Sequence, residues 1–210
     1  HGHGLSLDEL ALVEPLSIGA HGVRRAGVEA GEFVLVVGAG PIGLGTMEFA
    51  RLAGANLIAL DVNEHRLKFC KEQLNIKHII NGTQNDALEQ IRDITNGDMP
   101  SVVIDATGNL AAINQAFQFM SHGGRYVLIG LQRGDITVNH PEFHKRESTL
   151  MSSRNATRQD FEQVINAIKR KDISPLNFIT HRAHFDEVAM VFDPWLNTDT
   201  NVMKATIELA

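Results

Sequence analysis

The stretch that most restricts what this chain can fold into is Gly38-Ala39-Gly40-Pro41-Ile42-Gly43, directly behind the apolar run Phe33–Val37. That run reads as a fully buried parallel strand, and Pro41 to about Ala53 reads as the helix that follows. The three glycines of such a junction do different things. The first permits a tight turn, the second removes a Cβ from the path of an approaching diphosphate, and the third lets the helix pack close to the strand. Pro41 falls at the first helical position, where a missing N–H costs nothing. Unpaired N–H groups and the positive end of the helix dipole then make an anion site. Gly38, Gly40, Pro41, Ile42 and Gly43 are therefore candidate binders of a dinucleotide.

The rest of the chain repeats the alternation. Asn56–Leu60, His78–Ile80, Val102–Asp105 and Arg125–Ile129 read as strands, with helices at Asn63–Leu74, Asp86–Thr95 and Asn109–Met120 between them. The last of these has the cleanest helical period, through Leu110, Ile113, Phe117 and Met120, and Gly123-Gly124 reads as its C-cap. The rhythm predicts an α/β fold with a doubly wound parallel sheet, a Rossmann arrangement. Thr149–Ser152 is a candidate edge strand, Phe161–Ile168 a helix, Val188–Phe192 a short helix and Pro194–Asn201 a polar loop. Met203–Leu209 is a final strand, distant enough from the glycine loop to belong to a neighbouring sheet.

Asp61 ends the second strand, about 20 residues past the loop, where an acid bonds the adenosine ribose hydroxyls. Its other reading is a cap for the helix beginning near Asn63. As a ribose ligand it repels the 2′-phosphate of NADP, and Val62-Asn63-Glu64 supplies no adjacent arginine, so NAD is favoured. Arg66, one helical turn on, either touches the ribose or lies on a solvated face. Ala106 and Thr107, behind the fourth strand, either flank the adenosine or form a plain capping turn. Gly130 and Leu131 follow the fifth strand and approach the nicotinamide end.

Composition removes several classes of function. A net charge of −6 is a poor match to a nucleic-acid backbone, and no apolar run approaches the length of a bilayer span. Cys70 is the only cysteine, which excludes an internal disulfide and an all-thiolate zinc site and favours a cytoplasmic location. The sole tyrosine, Tyr126, has Gly130 where a short-chain dehydrogenase needs lysine. The three-glycine spacing coupled to Asp61 disfavours a methyltransferase. His1-Gly2-His3-Gly4 reads as a tag scar or the ragged end of a longer chain.

Glu14-Pro15-Leu16-Ser17-Ile18-Gly19-Ala20-His21, the glycine loop, Asp61 and Ala106-Thr107-Gly108 together resemble the zinc-type medium-chain dehydrogenases. Ser152-Ser153-Arg154-Asn155-Ala156-Thr157 and Ile179-Thr180-His181 narrow the resemblance to the branch of sorbitol, threonine and hexonate dehydrogenases. It runs from about Leu7 to the C-terminus. By this resemblance zinc polarises a secondary alcohol of a polyol or sugar acid, and hydride passes to NAD. Glu14 takes the position of a zinc ligand, direct or through water, Ile18 and Ile42 press on the nicotinamide, and Ser153 and Arg154 lie near its carboxamide or the substrate. The same family implies a homodimer or homotetramer.

Members of that family carry a preceding domain whose cysteine and His-Glu pair hold the zinc. The expected layout is therefore a linker helix at 1–26, the NAD-binding domain at 27–175 and a segment at 176–210 returning to a missing catalytic domain. Such a chain binds NAD and does not turn over substrate alone; the other reading is a free-standing NAD sensor. Cys70 reads as core and His21 as a satisfied helix histidine. His140 and His144 have ligand-like spacing, but Pro141 and Lys145-Arg146-Glu147 suggest an exposed turn. His181 and His184 follow a loop, with Asp186-Glu187 as the acidic first turn of a helix.

Overall fold

Ser6 and Glu9 open the first helix, α1 (Leu7–Ala26), by capping each other's backbone N–H groups, and Gly27 closes it in the left-handed conformation. The computed structural model describes residues 4–209, so His1–His3 and Ala210, which include most of the suspected tag scar, lie outside it. The strands that follow are β1 (Phe33–Val37), β2 (Asn56–Asp61), β3 (His78–Asn81), β4 (Val102–Asp105), β5 (Arg125–Leu128) and β6 (Thr149–Ser152). They form one parallel sheet in the order β3-β2-β1-β4-β5-β6.

Alternation along β1 divides the core in two. Val34 and Val36 face the cluster built from α1, α2 (Pro41–Leu52), α3 (Glu64–Gln73) and α7 (Arg158–Lys169). Leu35 and Val37 face the opposite cluster, with α4 (Ala87–Ile94) and α5 (Leu110–Ala116). Both faces of the sheet are thus covered, as its near-continuous apolar strands require. The chain runs from β1 to one side, through β2 and β3, then returns to β4 on the other. That reversal opens a crevice beyond the carboxyl ends of β1 and β4.

The C-terminal strand joins a second sheet. β7 (Ile179–His184) and β8 (Lys204–Glu208) pair in parallel, with α8 (Val188–Trp195) between them. His181 and His184 therefore lie on a strand rather than after a loop, and their odd spacing turns them to opposite faces. Asp186 and Glu187 lie in a short 3₁₀ turn, where Glu187 accepts from the His184 N–H.

Three expectations are corrected. The helix after Asn109 does not reach Met120. It is α-helical only to Ala116, tightens to a 3₁₀ turn over Phe117–Phe119 and leaves Met120 extended. Near that transition the Tyr126 hydroxyl donates to the Ile113 carbonyl and Phe117 packs edge-on to the Tyr126 ring, so tertiary packing ends the helix before the glycines. His140–Lys145 is a short helix, α6, rather than a turn, because Asn139 caps it and Pro141 falls in its first turn, where proline is tolerated. Pro194 and Trp195 belong to the last turn of α8 rather than to a loop.

One buried carboxylate ties α1 to α7. Asp160 is fully buried; it accepts from Arg24 Nε (2.8 Å) and from the Thr157 N–H and hydroxyl (2.7 Å each), with His21 Nδ1 at 2.9 Å. Burial alone pushes this carboxyl up, but Arg24 and the Thr157 donors outweigh it and hold it well below the ordinary range. A carboxyl that titrates lower folded than unfolded contributes stability at neutral pH and loses it as pH falls below about 4. Asp160→Ala is expected to lower unfolding stability by about 3 kcal/mol at pH 7. In urea unfolding the gap from the native chain should narrow at pH 3; a gap equal at both pH values contradicts this.

Candidate functional site

The glycine loop turns out of β1 at Gly38, whose φ of +98° favours glycine; a Cβ there would also fall 2.8 Å from Thr107 Cγ2. Gly43 is closed to any side chain, since its Cβ would lie 1.8 Å from the Gly38 carbonyl oxygen. Gly40 differs. A Cβ at Gly40 meets nothing nearer than Arg66 Nη1 at 3.9 Å, so the backbone there borders open space. Gly40 is the N-cap of α2 and has no side chain to satisfy the first N–H groups of the helix, while Pro41 has no N–H to satisfy. The result is a cradle of free donors at the positive end of a helix dipole.

Asp61 secures this cradle from the neighbouring strand. The Ala39 N–H donates to its Oδ2 at 2.6 Å and the Asn63 N–H donates to its Oδ1 at 2.8 Å. It is therefore not the helix cap that the sequence allowed as an alternative; Asn63 caps α3 by accepting from the Arg66 N–H. The carboxylate is 6% exposed and borders a crevice of about 360 Å³ at the carboxyl ends of the strands. Each oxygen retains lone pairs for a further donor. Arg66 overhangs from α3 with Nη1 3.9 Å from Asp61 Oδ2.

Gly38, Gly40, Arg66, Ala106 and Thr107 line the same crevice. Sequence reasoning missed part of its wall: Val62, Gly82, Ala111, Ala112, Gln115 and Phe119 also border it. Ala111, Ala112 and Gln115 lie on α5, whose start was legible from Asn109, which accepts from the Ala111 and Ala112 N–H groups. Asp105 was also missed as an individual actor. Its side chain accepts from the Thr107 N–H and hydroxyl and from the Gly108 N–H, so the turn after β4 is a capped one. Burial pushes the Asp105 carboxyl up, against those hydrogen bonds.

The remaining candidates lie outside this crevice. Pro41 and Ile42 are half-buried at the start of α2, and Ile18 is half-buried on α1. Gly130 packs onto Gly108, and Leu131 projects beside it, 92% exposed. Ser153 is buried with an unpartnered hydroxyl, and Arg154 is exposed. Glu14 is exposed on α1.

The residues described do not make a zinc centre of three or more side-chain ligands. Among them no group of three or more His, Cys, Asp or Glu side chains could share a metal ion. Cys70 is buried in the core with Sγ 3.7 Å from Met47 Sδ, and burial, with Asp61 adding to it, pushes its thiol up to about 12. A dinucleotide fits better, given an open cradle at Gly40, free helix donors and a carboxylate beside them.

Comparison with known proteins agrees with this geometry. A profile of the family described as zinc-binding dehydrogenase matches residues 41–170. L-galactonate-5-dehydrogenase of Escherichia coli K12 is 37% identical over 204 residues, covering 97% of this chain and 60% of that protein. D-xylulose reductase of Scheffersomyces stipitis is 31% identical, covering 90% of this chain and 54% of that protein. The chain thus spans at most about 60% of the length of these relatives. A solved structure described as a short chain alcohol dehydrogenase of E. coli CFT073 complexed with NADH superposes with a TM-score of 0.87. It is 26% identical and is covered over 59% of its length, against 96% of this chain. The chain belongs to the zinc-binding dehydrogenase family and matches its coenzyme-binding portion.

Proposed function

We propose that this chain binds NAD(H) in the crevice at β1, β2 and β4, as the coenzyme portion of an oxidoreductase acting on a secondary alcohol of a polyol or sugar acid. The observation that carries the reading is Asp61, which braces the glycine loop through Ala39 and still borders the crevice. In this reading the diphosphate rests on the first N–H groups of α2, and Asp61 takes the ribose diol, with Arg66 beside it. Bound NAD supplies a hydride acceptor at its nicotinamide. Ile18 and Ile42 flank that ring, Gly130 and Leu131 border it, and the free Ser153 hydroxyl and Arg154 serve its carboxamide or the substrate. The unpartnered buried hydroxyl of Ser153 supports this placement, because such a group wants a hydrogen-bond partner.

The substrate class rests on the names of the relatives, a galactonate dehydrogenase and a xylulose reductase. Zinc in the complete enzyme belongs to residues beyond those described, with Glu14 the one candidate this chain contributes, and no step is assigned to the metal here. Phe185, Met190, Phe192 and Leu196 are exposed apolar side chains on and flanking α8, a helix that buries none of its residues. That supports a layout in which 176–210 packs on a catalytic domain and 27–175 holds the coenzyme, with the expected linker helix at 1–26 packed through α1 on α2 and α7. The exposed edge strand β6 is the proposed seam of a homodimer or homotetramer. Among the described residues no helix is long and apolar enough to cross a membrane, and the single cysteine fits a reducing cytoplasm.

Two experiments test this reading. In fluorescence titrations NADH should bind about ten-fold or more tightly than NADPH, because Asp61 repels a 2′-phosphate. Asp61→Ser should weaken NADH and close the gap; equal or tighter NADPH binding by the native chain would falsify the cofactor assignment. The glycines should also separate folding from binding. Gly40→Ala should retain stability within about 1 kcal/mol yet lose NADH binding, its methyl group standing in the diphosphate's path. Gly43→Ala should lose more than about 2 kcal/mol of stability, since its Cβ overlaps the Gly38 carbonyl. A Gly40→Ala chain that binds NADH like the native one contradicts the proposed diphosphate position.

A further inference from the structure

The histidines that the coenzyme crevice leaves unused are placed to act together. We propose that His140 and His144 form a two-histidine site for a divalent transition-metal ion such as Zn²⁺ on the exposed face of α6. Because His140–Lys145 is helical, residues four apart share one face, and both histidines are exposed. Their ring centroids are 5.7 Å apart and the planes are tilted by 55°. Two imidazole nitrogens each about 2.0–2.1 Å from one zinc ion, at a near-tetrahedral angle, put ring centres roughly 5 Å apart. A small side-chain rotation spans the difference. Both rings are solvent-exposed and lie next to each other.

The charges around the site balance. Lys145 and Arg146 are offset by Glu142 and Glu147, and the Arg146 guanidinium is engaged by the Gln118 and Met120 carbonyls and by Glu142. With no third protein ligand grouped there, water completes the coordination shell. Chelation at i and i+4 clamps a helix of six residues, too short to persist by its own propensity. That helix is a wall of a cavity of about 820 Å³, through Glu142, Phe143 and Arg146. Glu142, Phe143 and Arg146 do not border the glycine-loop crevice, although Gln115 lines both cavities.

The test is titration of the chain with ZnCl₂, followed through the Cε1–H ring signals of His140 and His144, with those of His1 and His3 tracked separately. The two rings should shift together with a single midpoint. His140→Ala should weaken binding at His144 by about ten-fold or more, His144→Ala should do the same at His140, and the double variant should bind no zinc at α6. Both side chains are exposed, so these substitutions leave the fold intact. Rings that titrate with different midpoints, a change of less than about two-fold in either single variant, or ring signals that do not move would each overturn the site.

Discussion

The hydrogen bond from the Ala39 N–H to Asp61 is the contact around which the crevice is organised. A loop of small residues has little side-chain packing to hold its shape and would otherwise sample many conformations. The carboxylate at the end of β2 fixes the loop from the side, and the overlap that bars any Cβ at Gly43 fixes it from below. With the loop held, the start of α2 presents its N–H groups to open space at Gly40. One acid therefore orders the loop at the start of α2 and borders the open crevice beside it.

The sheet makes that contact possible. β1 and β2 are in parallel register from Phe33 with Asn56 to Val37 with Leu60, which brings Asp61 level with the glycine turn. Reversal of the strand order between β1 and β4 leaves the space beyond their carboxyl ends uncovered. On the far wall Asp105 does for the Ala106–Gly108 turn what Asp61 does for the glycine loop. The two strand-end carboxylates differ in surroundings: Asp61 has Arg66 near it, whereas Asp105 is buried among neutral donors and its carboxyl is pushed up.

Much of this was legible in sequence because it rests on local rules. The glycine spacing, the apolar strands and the acid behind β2 each have a physical reason independent of the rest of the fold. What was not legible came from distant contacts. The Tyr126 hydroxyl on Ile113 and the ring of Phe117 on Tyr126 end α5 early, and neither is visible in the helical period of Asn109–Met120. Pro141 suggested a turn, but Asn139 capping made it the first turn of a helix. The Asp160 network joins residues 136 and 139 positions apart in sequence, so no local pattern revealed it. The wall contributed by Gln115 and Phe119 likewise depends on how α5 lies over the sheet.

The central claim is that a dinucleotide sits across the ends of β1 and β2, with its diphosphate on α2 and its ribose on Asp61. A crystal structure of the chain grown with NADH tests it most directly. The account predicts diphosphate oxygens within hydrogen-bond distance of the Ile42 and Gly43 N–H groups and a ribose hydroxyl on an Asp61 oxygen. NADH bound anywhere else, or Asp61 turned out of the crevice with the ribose unattended, would contradict it.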